Sequence, residues 1–183
     1  MRILLLLALP LGVILGHLHR GSFVAISVSN IGRALPSLVL IAFGSLFISF
    51  GFWNNTTALV VLAVPPILTN SYFAVDTIDR SIVEAARGMG MRRRDILLRV
   101  ELPLALPLIF AGIRISAVFV VATATIAAIA GGGGLGEIIV DQASYRLAGV
   151  VAASLCVSAL AFGVAILLGV VRKFLQHPVV SRD

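Results

Sequence analysis

Four stretches of this chain run for at least 19 residues with no more than one charge. Residues 34–52 and 57–75 carry none, residues 147–171 form an uncharged run of 25, and residues 102–130 contain only Arg114. Each is near or above the ~20 residues that a membrane-spanning helix needs. Residues 3–16 are apolar too, but a 14-residue helix rises about 21 Å against a hydrocarbon core of about 30 Å. The pattern predicts an all-α membrane protein of about five transmembrane helices, the first of them short. Between the first two, Phe23, Val24, Ile26, Val28 and Ile31 alternate irregularly with Ser27, Ser29 and Asn30, which reads as a short interfacial helix over Ser22–Gly32. No segment repeats and no low-complexity linker divides the chain, so residues 1–183 are expected to form a single membrane domain. No small-residue cleavage site follows Gly16, where the chain reads His17-Leu18-His19-Arg20, so a signal peptide fits poorly. The expectation is a first span whose outer half is truncated, with the frame extending upstream of Met1.

Composition agrees with the pattern. The chain is 60% hydrophobic and 12% charged, with a mean hydropathy of +1.10, which leaves too little polar surface to cover a soluble globule. The net charge of +6 comes from fourteen cations, of which Lys173 is the only lysine. Their placement changes the reading from nucleic-acid binding to topology. Arg80, Arg87, Arg92, Arg93, Arg94 and Arg99 lie between the third and fourth apolar runs, Arg172, Lys173 and Arg182 lie in the tail, and Arg20 and Arg33 lie in the first connection. Cations mark cytoplasmic segments. The alternate connections, residues 53–56 and 131–146, hold only Arg146 and are expected outside, with Phe52 and Trp53 as interfacial anchors. The result is a multi-pass protein of the plasma membrane with a cytoplasmic C-terminus. The single Cys156 sits in an apolar run and reads as a packing residue.

Little catalytic chemistry is legible. A phosphate-binding loop needs Gly-x4-Gly-Lys-Ser/Thr, and the only lysine here is followed by Phe174, so the chain carries no nucleotide site of that kind and reads as a non-enzyme. His17, His19 and His177 lie near the chain ends and form no metal-ligand or triad spacing, and His17 and His19 read as interfacial polar residues. No bound cofactor is expected. The run Gly131-Gly132-Gly133-Gly134-Leu135-Gly136 follows a membrane span rather than a soluble strand, which argues against a dinucleotide loop. It reads either as a helix terminator or as a close backbone approach at the dimer axis that forms part of an outer gate. Arg114 lies about 16 Å along the helix from Pro103, near mid-membrane, where a cation must pair across the bundle or line a water-filled path. Pro65, Pro66 and Pro107 free backbone carbonyls inside spans and permit kinks. All eight carboxylates lie outside the spans, unlike the mid-membrane acidic pairs of many self-sufficient secondary transporters.

The polar insert at residues 81–101 is the most informative segment. Ser81 and Glu84 have capping-box spacing and predict a helix start, and Ala85 and Ala86 offer a surface that another protein can approach closely. Gly88 and Gly90 predict a stop after about two turns. Arg92, Arg93, Arg94 and Asp95 then open a second helix with Ile96, Leu97 and Val100 on one face, ending at Pro103. Two short cytoplasmic helices would make a right-angled elbow between the third and fourth spans.

The stretch Glu84-Ala85-Ala86-Arg87-Gly88-Met89-Gly90, followed nine residues later by Val100-Glu101-Leu102-Pro103, resembles the signature of binding-protein-dependent ABC importer permeases, E-A-A, three residues, G, nine residues, I or V, one residue, L-P. Its flanks, Pro66-Ile67-Leu68-Thr69-Asn70 and Ala122-Thr123-Ala124-Thr125 leading into the glycine run, look most like the glycine betaine, carnitine and choline branch. The resemblance implies a permease subunit working with a second copy or sister permease, a separate ATPase that consumes ATP, and an extracytoplasmic solute-binding protein. It also implies that Ser81, Glu84, Ala85, Ala86, Arg87, Gly88 and Gly90 form the coupling helix that docks on the ATPase. A methionine-type permease is the nearest alternative, and a self-sufficient channel or secondary transporter is the alternative of another class. Gly132 departs from relatives, in which a small alanine is usual within this run.

Overall fold

The computed structural model describes residues 2–19, 21–34, 36–48 and 51–176. Arg20, His177 and Arg182 lie outside the described residues. Nine α-helices occur among those described: α1 (Arg2–His17), α2 (Ser22–Ala34), α3 (Ser37–Ile48), α4 (Phe52–Asp76), α5 (Arg80–Gly88), α6 (Arg93–Ile96), α7 (Leu102–Ile126), α8 (Leu135–Val140) and α9 (Gln142–Gln176). A π-helical turn, Leu97–Glu101, joins α6 to α7, and a 3₁₀ turn, Ala127–Ala130, follows α7. No strand occurs among the described residues.

Among the described residues, three helical stretches are long and apolar enough to cross a membrane: Phe52–Asp76, Arg93–Ala130 and Gln142–Phe174. A fourth results if Ser22–Gly32 and Ser37–Ile48 count as one broken span. Two of the expected boundaries therefore change. The run at residues 34–52 yields only the twelve residues of α3, about 18 Å of helix. Residues 53–56, expected as an outer loop, belong to the first turns of α4. The reason is nonlocal. Asn54 Nδ2 donates to the Ile41 carbonyl at 2.9 Å, and Asn55 Nδ2 donates to the Ala127 carbonyl at 3.1 Å, so both polar side chains are buried rather than solvated. Phe52 and Trp53 do project outward, edge to face with centroids 5.8 Å apart.

The second short helix of the insert does not end at Pro103. Proline lacks an N–H, and its ring collides with the carbonyl four residues earlier in a regular α-helix. Here the helix widens immediately before it, with the Leu102 amide bonding to the Leu97 carbonyl five residues back, and then continues as α7.

The chain divides into two compact units, residues 1–30, 64–114 and 168–183 in one, and residues 31–63 and 115–167 in the other. In the first unit, Ala8, Ala25, Ile67, Leu68 and Tyr72 form one cluster, and Val13, Ala74, Val75, Ala105 and Ile109 form a second. Gly12 and Gly16 let α1 lie directly on α4: a Cβ at these positions would stand 2.6 Å from the Leu68 carbonyl oxygen and 2.7 Å from that of Tyr72. This Gly-x-x-x-Gly spacing is a close-approach device for helices in membranes. In the second unit, Ile41, Ala58, Ala127 and Ala130 form the core.

Candidate functional site

In the first unit, α5 is capped by Asp79 rather than Ser81 and begins at Arg80. The Asp79 carboxylate accepts from the Ser81 amide at 2.9 Å and occupies the donor that a capping box would have given to Glu84. Both candidates are carboxylates, and Asp79, two residues ahead of that amide, sits where the helix dipole favours a negative charge. That amide, with the Ser81 hydroxyl second, holds the Asp79 carboxyl below its ordinary range. Ser81 and Glu84 are both exposed.

The far end follows the expectation from the glycines. Gly90 takes φ +80°, the Gly90 amide bonds to the Arg87 carbonyl at 3.0 Å, and the Met91 amide bonds to the Ala86 carbonyl at 3.3 Å. This is the Schellman arrangement, with glycine supplying the left-handed residue. Gly88 is the last helical residue.

The two alanines of the signature part company. Ala86 is 2% exposed, buried within its own chain, whereas Ala85 is exposed. On the outer face, Ile82 (43% exposed), Ala85 and Met89 (76% exposed) recur at i, i+3 and i+7. Arg87, Arg92, Arg93 and Arg94 are exposed on the same insert, and Leu98 adds another exposed apolar side chain.

Beneath α5 lies a cavity of about 190 Å³ lined by His17, His19, Val83, Arg87, Arg93, Ile96 and Glu101, with Leu18. Glu101 is buried, its side chain 3% exposed, and accepts from His17 Nδ1 at 2.6 Å. A carboxylate can only accept, so Nδ1 carries the proton. His19 Nδ1 pairs with Asp76 at 2.9 Å. The histidines thus fasten the end of α1 and the residues just after it to the π-helical turn ahead of α7 and to the end of α4, a role that partners 84 and 57 positions apart give no local sign of. Arg114 is exposed and has no hydrogen-bond or ion-pair partner among the described residues.

In the second unit, the glycine run begins with the same cap as α5. Gly131 takes φ +74°, its amide bonds to the Ala128 carbonyl at 3.0 Å, and the Gly132 amide bonds to the Ala127 carbonyl at 3.1 Å. Asn55 bonds to that same Ala127 carbonyl, so both of its lone pairs are engaged. A Cβ at Gly132 would stand 2.7 Å from the Ala127 oxygen and 2.8 Å from Asn55 Nδ2. Gly133 and Gly134 also have positive φ, and Gly136 is buried against the Thr125 carbonyl. The run therefore ends a helix, and Gly132 and Gly136 lie close against backbone of this same chain. The Asn55 contact to it was not legible from spacing, although two asparagines at the head of an apolar run are themselves unusual.

Three helices of spanning length and no strand among the described residues define an integral-membrane protein. Residues 8–178 match the family described as the binding-protein-dependent transport system inner membrane component, and the chain belongs to that family. It is 40% identical over 134 residues to the choline transport system permease protein of Bacillus subtilis (strain 168), covering 73% of this chain and 62% of that protein. It is 36% identical over 163 residues to a carnitine transport permease protein of Listeria monocytogenes, covering 88% and 75%. The chain therefore spans less than two thirds of the length of the first of these relatives. In fold it is similar to the MetNI methionine ABC transporter in an inward-facing conformation, with a TM-score of 0.78, 24% identity, and coverage of 93% of this chain and 86% of that one.

Proposed function

We propose that the chain is the membrane permease of an ABC importer that carries a small quaternary-ammonium osmoprotectant of the glycine betaine, carnitine or choline class. The carrying observation is the outer face of α5, where Ile82, Ala85 and Met89 leave an apolar strip uncovered. This strip lies on a nine-residue helix with a polar, arginine-rich surround, too short to span and placed on the cytoplasmic side by its cations. An uncovered apolar strip with a charged rim fits a protein partner. The E-A-A-x-x-x-G signature supports reading that partner as an ATPase subunit whose ATP-driven closure would move α5.

The substrate class rests on the choline and carnitine permeases among the relatives. Selection in such a system falls largely to an extracytoplasmic binding protein, whose aromatic side chains would hold a quaternary ammonium through cation–π contact. The apolar window of Gln142–Phe174 is only 11% buried within the chain, which leaves surface for lipid and for a second permease copy or sister.

The test is reconstitution of the permease with its neighbouring ATPase and binding protein in proteoliposomes. ATP-dependent uptake of labelled glycine betaine, carnitine or choline is expected. Uptake of methionine alone would reassign the substrate, and uptake with no ATPase present would overturn the importer class.

A further inference from the structure

We infer that His17 and Glu101 are positioning residues that carry motion of the docking helix α5 onto α1. This rests on the reading of α5 as the ATPase-docking element. Glu101 occupies the unspecified position of the Val100-Glu101-Leu102-Pro103 stretch, where nothing in the signature asks for a carboxylate. A carboxylate buried to 3% exposure is costly unless paired, and His17 is the partner it has, at 2.6 Å. The pair stands where three elements meet: Val83 and Arg87 of α5, Ile96 of α6 and the end of α1 wall the same cavity.

Glu101 also ends the π-helical turn, a stretch whose hydrogen-bond pattern differs from the α-helices on both sides. Such turns are weaker than α-helix and recur at functional sites. Displacement of α5 and α6 therefore bears first on the turn that holds Glu101. Through His17 the displacement passes to α1, and through Gly12 and Gly16, which admit no Cβ against Leu68 and Tyr72, it passes to α4. The pair thus gives α5 a route into the membrane helices in addition to the covalent one through α7.

The test uses the complete transporter in proteoliposomes, with uptake and ATP hydrolysis measured in the same vesicles. Glu101→Ala and His17→Ala are each expected to lower solute carried per ATP hydrolysed by about tenfold, while the ATPase stays bound through purification. Because the two residues act as one joint, the double variant should be no worse than either single one. His17→Asn, which keeps an N–H donor near the Nδ1 position, should restore the ratio to within about twofold of wild type. A wild-type ratio in both alanine variants, multiplicative losses in the double variant, or an asparagine variant as poor as alanine would each overturn the inference. Should Glu101→Ala fail to accumulate, the His17→Ala and His17→Asn comparison decides it alone. Failure of the docking reading is distinct, since the ATPase would then not co-purify with the wild-type permease.

Discussion

Two adjacent alanines of the signature should respond oppositely to the same substitution. Ala85 is exposed on the outer strip of α5, and Ala86 is 2% exposed inside the chain. For the isolated permease, Ala85→Asp costs little more than the helix-propensity difference, about 0.5 kcal/mol. In the complex, the new carboxylate would lie against an apolar partner surface. An uncompensated charge buried at an interface costs about 3–5 kcal/mol, and each 1.4 kcal/mol is tenfold, so association should weaken by about 10²- to 10⁴-fold. Ala86→Asp would instead bury that charge within the permease at a comparable cost to its own fold. The assay is detergent extraction of both variants with a tagged permease, scoring co-purified ATPase and the melting temperature of the permease alone. Ala85→Asp is expected to melt near wild type and to lose the ATPase. Ala86→Asp is expected to accumulate poorly or to melt well below wild type. Retention of the ATPase with normal substrate-stimulated hydrolysis in Ala85→Asp would refute the assignment of the outer face, and an undisturbed Ala86→Asp would refute the inward placement of that side chain.

Three further outcomes are expected. Gly132→Ala should destabilise the permease by about 1–3 kcal/mol in a thermal melt, because its Cβ falls 2.7 Å from a backbone oxygen that must shift; an unchanged melt would contradict the close approach. Cysteines placed at Trp53 and Arg93, both exposed, should label from opposite sides of the membrane with an impermeant maleimide, and labelling from one side would refute the topology. Asp79→Ala should speed hydrogen exchange at the start of α5 at neutral pH, whereas Asp79→Ser should not. Since the folded Asp79 carboxyl sits below its ordinary value of 3.8, its cap contributes fully above that value and is lost as pH falls through the lowered one. Loss of protection already at pH 6 would assign the cap elsewhere.

What the sequence determined by itself was whatever a local run of residues suffices to set. Apolar length placed the chain in a bilayer, and glycine at Gly90 and Gly131 ended helices there, because a left-handed residue within one turn needs no distant partner. The signature in residues 84–103 likewise marked the segment proposed here to dock. The tertiary structure decided what depends on a partner far along the chain. Asn54 and Asn55 read as a polar loop until the carbonyls of Ile41 and Ala127 are brought beside them, after which α4 can begin at Phe52. Ala85 and Ala86 are chemically identical in sequence, and only the packing of α5 turns one outward and the other in. His17 becomes a structural partner only because α1 lies on α4 and ends against Glu101, which makes a buried carboxylate possible where a water-exposed one was the local expectation.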